Sequence, residues 1–111
     1  MSFVAQYLDP DQAPTREQLD RRTGPVLVEF GTAWCGYCNA AAPQVRGLLA
    51  QYPGVEHVKV EDGPGRPLGR SFRVKLWPNF VLMRDGAVVK QLARPGKGEL
   101  EAALRELVAA S

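Results

Sequence analysis

Residues 34–38 read Trp-Cys-Gly-Tyr-Cys and contain both cysteines of this 111-residue chain. The apolar run at residues 26–30, rich in β-branched side chains, precedes them and is typical of a buried strand. A segment with helical spacing follows, so the cysteines should lie where a strand ends and a helix begins. The free N–H groups and positive dipole end of a helix N-terminus favour a thiolate, the reactive form in disulfide exchange. The stretch therefore predicts a redox-active dithiol.

Length and composition predict a single globular domain over residues 1–111. The net charge of +2, with acidic and basic residues interspersed, does not indicate binding to nucleic acid or to a membrane surface. No apolar run approaches membrane-spanning length, and the N-terminus lacks the features of a secretory signal. We therefore expect a cytoplasmic protein, in which two cysteines at this spacing indicate redox chemistry rather than a structural disulfide.

Hydrophobic periodicity and turn signals predict the order β-α-β-α-β-α-β-β-α, hence an α/β fold with a mixed central sheet and helices on both faces. Thr15 and Gln18 resemble a capping box, and Asp85-Gly86 is a strong hairpin signal. The last helix should bury one face formed by Leu100, Leu104, Leu107 and Val108. The expected strands are 3–8, 26–30, 55–60, 80–83 and 88–92, and the expected helices are 15–22, 36–51, 68–72 and 99–109.

Over about residues 25–107 the chain resembles the thioredoxin family. The resemblance rests on several positions in the correct order, which together predict the thioredoxin fold. These positions are Glu29, six residues before the first cysteine, the 34–38 motif, Pro43, Lys59, Trp77-Pro78, Asp85-Gly86 and Lys97-Gly98.

Five positions depart from the usual pattern of that family. They bear on which reductase and which substrates the protein uses, and on how reducing it is, but not on the dithiol chemistry itself. The departures are Tyr37 for proline, Asn39 for a basic residue, Gly31 for a second Trp, Ala93 for glycine and Glu29 for Asp.

The resemblance implies that Cys35 is the nucleophile and Cys38 the resolving thiol. At this spacing on a helix the two side chains are neighbours, close enough for a disulfide after slight adjustment of the first turn. The alternatives are a pair of inert buried cysteines or half of a metal site. A zinc site usually needs four ligands, and His57 is the one further Cys or His in the sequence. We therefore predict redox chemistry and no bound metal.

The resemblance also implies that Glu29 is buried and accepts the proton of Cys38, with Lys59 as its partner, although a surface position is open for Lys59. His57 is expected to face solvent. Pro78 resembles the cis-proline of the family, which flanks the dithiol and lets the preceding backbone pair with a substrate strand. The residues expected around the dithiol and the substrate are Trp34, Gly36, Tyr37, Trp77, Pro78 and Ala93, with core packing as the alternative for Trp77.

Tyr37 is the departure with the clearest chemical consequence. A proline at this position has no N–H, whereas the N–H of Tyr37 is expected to point towards the Cys35 sulfur. Such a donor would stabilise the thiolate and make the protein more oxidising.

These features together predict a thioredoxin-like protein disulfide oxidoreductase with no bound cofactor and with Cys35–Cys38 as its redox-active disulfide. Its expected partners are disulfide-containing protein substrates and a thioredoxin reductase or a glutathione system, and we expect a monomer. Two alternatives stay open: a glutathione-coupled or more oxidising enzyme, and a thioredoxin-like binding module whose dithiol is incidental.

Overall fold

The computed structural model describes residues 2–96 and 98–109, and within them the chain forms four helices and four strands. Their bounds lie within a few residues of the expected ones. Lys97, half of the Lys97-Gly98 match, lies outside the described residues. In chain order the elements are α1 (Arg16–Asp20), β1 (Pro25–Gly31), α2 (Gly36–Gln51), β2 (Glu56–Glu61), α3 (Pro67–Ser71), β3 (Asn79–Arg84), β4 (Ala87–Ala93) and α4 (Glu99–Ala109).

The four strands form one mixed sheet in the order β2-β1-β3-β4. β1 pairs parallel with β2 and antiparallel with β3, and β3 pairs antiparallel with β4. The last hairpin turns at Asp85 and Gly86, whose φ angles are 51° and 82°. A type I′ turn needs positive φ at both central residues, so the predicted hairpin is confirmed. The capping box is confirmed too, since Thr15 and Gln18 each accept a hydrogen bond from the other's backbone N–H.

Side-chain alternation along β1 separates two layers of the core. Val26, Val28 and Phe30 pack with residues of α1 and α3, whereas Leu27 packs with residues of α2 and α4. Because successive side chains of a strand point to opposite faces, Glu29 falls on the same face as Leu27. The carboxylate is 1% exposed and lies on the face covered by the helix that carries the second cysteine.

The expected first strand, residues 3–8, is reduced to a single bridge between Leu8 and Val60. Upstream of this bridge, main-chain groups are bonded to side chains of β2 instead of to its backbone. They are therefore not available for a strand ladder, and the prediction of a fifth strand is wrong. The two bonds run from Val4 N–H to His57 Nδ1 (2.8 Å) and from Lys59 Nζ to the Ala5 carbonyl (3.0 Å).

The closing helix α4 buries Leu100, Leu104 and Leu107, as predicted, but the fourth buried position is Ala103. Val108 is 36% exposed, so its assignment to the buried face is wrong. The buried set follows the i, i+3, i+4, i+7 spacing of one helix face, and Val108 lies just beyond the edge of that stripe. Among the described residues, every helix is too short or too polar to cross a lipid bilayer.

Candidate active site

The two cysteines lie at the junction of β1 and α2, and both are free thiols. Cys35 is the N-cap residue of α2, and its sulfur accepts a hydrogen bond from the Cys38 N–H at 3.2 Å. The sulfur thus takes the place of the N-cap side-chain oxygen that usually accepts a hydrogen bond from an unpaired backbone N–H of the first helical turn. Cys35 is 7% exposed and Cys38 is 2% exposed, so the first thiol is the more accessible of the two.

The surroundings of Cys38 keep it as a neutral thiol at physiological pH. Burial, followed by its hydrogen bond with Cys35, raises the pKa of Cys38 to about 11. The Thr32 backbone and the nearby Tyr7 hydroxyl act in the opposite direction, because groups able to donate a hydrogen bond favour the charged sulfur. Cys38 must therefore lose a proton before it can attack a disulfide, and a nearby acceptor would assist that step.

Glu29 has a buried partner that the sequence analysis did not identify. Its Oε1 lies 2.8 Å from Nε2 of His57, and both side chains are almost fully buried. His57 Nδ1 accepts the Val4 N–H at 2.8 Å, so the ring proton must reside on Nε2. His57 therefore donates to the Glu29 carboxylate, and the expectation that His57 faces solvent is wrong.

Lys59 is buried as well, but it contacts the N-terminal segment and not Glu29. Its ammonium donates to the Ala5 carbonyl at 3.0 Å and lies 4.6 Å from the centre of the Tyr7 ring. Among the described residues it forms no ion pair with Glu29, although the two residues are register partners across β1 and β2. The charge of Glu29 is therefore paired with an imidazole and not with the expected lysine.

Two tryptophans form one side of the rim around the dithiol. Trp34 is 77% exposed, and its ring meets that of Trp77 edge-on with a centroid separation of 5.6 Å. Trp77 is partly buried, packs against the core layer next to α3 and donates its indole N–H to Asp62 at 2.9 Å. Trp77 therefore packs against the core, as the alternative expected, and also contacts Trp34, while its contact with substrate stays a prediction. The Trp77-Pro78 peptide bond is cis, as the resemblance implied.

The loop that follows β4 is tied to the Trp77-Pro78 segment through Arg94. Its backbone N–H donates to the Pro78 carbonyl and its Nε donates to the Trp77 carbonyl, both at 2.8 Å. Ala93, the last residue of β4, is exposed beside it. These two bonds therefore hold the loop after β4 against the Trp77-Pro78 segment.

Tyr37 and Gly36 form the exposed first turn of α2. The amide that meets the Cys35 sulfur is that of Cys38, and no hydrogen bond from the Tyr37 N–H to this sulfur occurs among the described residues. The Tyr37 ring is instead 61% exposed, with the Arg94 guanidinium 3.8 Å from its centre. The structure therefore assigns Tyr37 to the surface around the dithiol, not to the hydrogen bonding of the nucleophile. A side chain at Gly36 would point into open space.

Within residues 2–96 and 98–109, the acidic, histidine and cysteine side chains form no group of three or more that could hold a metal ion. The groups that the site brings together are its two thiols and the buried Glu29–His57 pair.

The profile of the family described as Thioredoxin matches residues 10–107. The chain belongs to the thioredoxin family. Among solved structures, thioredoxin 2 from Pseudomonas aeruginosa in its reduced form is 52% identical to this chain, with a TM-score of 0.83 over 97% of this chain and 100% of that one. This neighbour establishes the thioredoxin fold, and the family establishes thiol–disulfide oxidoreductase activity.

Curated thioredoxins agree with this assignment at lower identity. A thioredoxin of Aspergillus fumigatus is 33% identical over 78% of this chain and 82% of its own length. A chloroplastic F-type thioredoxin of Brassica napus is 31% identical over 78% of this chain, which spans 48% of that relative. As in other thioredoxins, the dithiol itself is the redox centre and no prosthetic group is needed.

Sequence reasoning missed three residues of this thioredoxin site: Tyr7, His57 and Arg94. For His57 the sequence did contain a signal. His57 and Lys59 are two residues apart in a predicted strand, so their side chains lie on the same face. Tyr7 and Arg94 reach the site from segments without regular secondary structure, and no periodic pattern locates such side chains.

Partial alkylation of the reduced protein should label Cys35 much faster than Cys38 at neutral pH. Cys35 is the more exposed thiol, and the pKa of Cys38 near 11 leaves almost none of it as thiolate. Labelling of Cys38 should therefore increase only as the pH approaches 11. Mass-spectrometric mapping after short exposure to iodoacetamide, at a series of pH values, measures both rates. Equal labelling of the two thiols at neutral pH would contradict this expectation.

Proposed function

We propose that this thioredoxin reduces disulfides in protein substrates, with Cys35 as the attacking thiol and Cys38 as the resolving thiol. The observation that supports this order is the difference between the two sulfurs. Cys35 caps the open end of α2 next to an exposed aromatic rim, whereas Cys38 lies one turn deeper with a raised pKa. An incoming disulfide would reach the first sulfur before the second.

In the first step the Cys35 thiolate attacks one sulfur of the substrate disulfide. A mixed disulfide forms, and the other substrate sulfur leaves as a thiolate that takes a proton from solvent. The positive end of α2 and the Cys38 N–H, 3.2 Å from the Cys35 sulfur, stabilise the attacking charge.

In the second step Cys38 loses its proton and attacks the Cys35 sulfur. The Cys35–Cys38 bond forms and the bond to substrate breaks. The second substrate sulfur leaves as a thiolate that takes a proton from solvent, and the substrate has then gained two electrons. We assign the proton of Cys38 to Glu29, which is buried on the sheet face covered by α2. His57 holds one carboxylate oxygen at 2.8 Å, and the other has no hydrogen-bond partner among the described residues and is free to accept.

We assign substrate docking to the exposed apolar rim of Trp34, Tyr37 and Leu76 beside the Trp77-Pro78 segment. Exposed aromatic side chains supply large apolar contact area, which suits an extended segment of another protein. Arg94 adds a positive charge over the Tyr37 ring. Gly36 and Ala93, both small and exposed, leave room for the substrate backbone on either side of the dithiol.

We further propose that a thioredoxin reductase supplies the electrons that restore the dithiol. We expect a cytoplasmic location, because a reducing compartment keeps such a dithiol active. We also expect a monomer. The test is insulin reduction with two electron sources, NADPH with thioredoxin reductase, and NADPH with glutathione reductase and glutathione. Turnover should occur with the first source and be much slower with the second. The reverse result would favour the glutathione-coupled alternative. The doubly substituted Cys35→Ser/Cys38→Ser protein is the control, and a protein partner that binds it as tightly as the native chain would favour a docking module.

A further inference from the structure

The N-terminal segment delivers a tyrosine hydroxyl to the resolving sulfur. Leu8 N–H donates to the Lys59 carbonyl at 2.9 Å, and the Tyr7 ring lies over the Lys59 ammonium. The Val4 and Ala5 backbone groups are bonded to the His57 and Lys59 side chains. Several contacts to β2 therefore fix the position of Tyr7.

The absence of a side chain at Gly31 creates the space in which this hydroxyl meets the sulfur. A methyl group at Gly31 would lie 2.5 Å from Cys38 Sγ and 2.6 Å from the Tyr7 oxygen. Both atoms therefore border the same small volume. Because Gly31 has no side chain, this volume stays open between the Tyr7 hydroxyl and the Cys38 sulfur.

The Tyr7 hydroxyl is buried and has no well-formed hydrogen bond among the described residues of the reduced protein. Leaving a buried hydroxyl unpaired costs free energy, so a group in this condition is available to a partner that appears during the reaction. A thiolate on Cys38 would be such a partner, since a charged sulfur accepts hydrogen bonds more strongly than a neutral thiol.

We propose that the Tyr7 hydroxyl donates a hydrogen bond to the Cys38 sulfur as that sulfur becomes a thiolate, and so accelerates the resolving step. This inference rests on the proposed role of Cys38 as the resolving thiol. Tyr7 keeps its own proton throughout, and only the Cys38 proton is transferred. The new Cys35–Cys38 bond and the departing substrate thiolate complete the step without any further reactant.

The titratable groups around this hydroxyl agree with a donor that stays protonated. They are Cys38 on α2, Cys35 at the N-cap of α2, Glu29 on β1 and Lys59 on β2. Burial, and then the neighbouring Cys38 and Glu29, raise the pKa of Tyr7 far above its ordinary value. The hydroxyl therefore remains a donor over the whole pH range in which the enzyme would work.

The test uses Tyr7→Phe and an aryl disulfide, dithiobis(nitrobenzoate), as substrate. Each reduced protein releases one coloured aryl thiolate when Cys35 attacks and a second when Cys38 resolves the mixed disulfide, so rapid mixing measures both steps separately. Phenylalanine keeps the ring over Lys59 and removes only an unpaired hydroxyl, so urea unfolding should show no loss of stability. Tyr52→Phe, at the far end of α2, is the matched control.

We expect the second release to slow by roughly ten- to a hundredfold in Tyr7→Phe, which is the effect of one hydrogen bond to a charged group, and the first release to be unchanged. Loss of the donor raises the pKa of Cys38, so the pH profile of the second release should move to higher pH. Gly31→Ala, which forces the hydroxyl and the sulfur apart, should slow the same step.

An unchanged second release in Tyr7→Phe would overturn the proposal, and so would equal slowing of both steps, which would indicate a merely structural role. If the native protein releases only one aryl thiolate, Cys38 does not resolve the mixed disulfide, and the proposed function fails together with this inference. If the native protein releases both and Tyr7→Phe matches it, only the role of Tyr7 is rejected.

Discussion

Replacing Cys38 with serine should abolish insulin turnover and leave the protein joined to its substrate by a disulfide on Cys35. The variant can still make the first attack, but it has no sulfur to release the product. When residues act as one catalytic unit, removing one of them costs about as much activity as removing all of them. We therefore expect turnover to fall by roughly a thousandfold or more. Non-reducing electrophoresis and mass spectrometry of the adduct measure the trapped species.

The matched control for this trap is Cys35→Ser, which keeps one thiol at the same site but removes the accessible one. It should form little adduct, because Cys38 is 2% exposed and its raised pKa keeps it protonated. A stable adduct on Cys38 in this control, or none on Cys35 in Cys38→Ser, would contradict the assignment of nucleophile and resolving thiol. The same pair of variants also tests whether the dithiol is incidental, since a docking module would form neither adduct.

The second large effect concerns stability. His57→Phe should lower the free energy of unfolding by about 3–5 kcal/mol, the usual cost of removing one member of a buried pair that involves a charge. Glu29 is 1% exposed, and His57 is its hydrogen-bond partner within the described residues. The variant also loses the acceptor for the Val4 N–H, which helps to hold the N-terminal segment. Urea unfolding at neutral pH, followed by tryptophan fluorescence, measures the change.

Two further variants separate the charge of Glu29 from the packing of His57. Glu29→Gln removes the charge but retains an oxygen that can accept the hydrogen bond from His57 Nε2–H. The stability of this variant should therefore equal or exceed that of the native protein. The double variant Glu29→Gln/His57→Phe should recover part of the stability lost in His57→Phe. If it is as unstable as the single variant, the loss comes from packing alone.

Glu29→Gln should also slow turnover, and unchanged turnover would exclude Glu29 as the proton acceptor.

The pairing of Glu29 with His57 shows which features a local sequence pattern predicts and which it does not. The sequence predicts the strand, its burial and an acid six residues before Cys35. It does not identify the base that meets this acid, because that depends on the register between β1 and β2. In this parallel register Glu29 stands opposite Lys59, yet the lysine reaches the Ala5 carbonyl and the histidine takes the carboxylate.

Local signals, by contrast, were sufficient for much of the fold and for the dithiol. The helix after Cys35, the capping box at Thr15 and the turn at Asp85-Gly86 are each decided by neighbours within a few residues. Such features depend on backbone hydrogen bonding and steric preference over one or two turns, which the order of residue types largely determines. The sequence could therefore locate the two thiols at a helix N-terminus.

Tertiary structure alone decided which side chains surround those thiols. Tyr7 is distant from Cys38 in the chain, and the two meet only because the N-terminal segment is bonded along β2 and Gly31 has no side chain there. The backbone groups of Val4 and Ala5 are hydrogen-bonded to buried side chains of β2 and not to its backbone. The segment therefore follows a path that an alternating strand pattern does not predict. The sequence by itself thus determined the chemistry of the two cysteines, and the packing of distant segments determined which groups tune it, because buried polar atoms take the partners that the completed fold brings within reach.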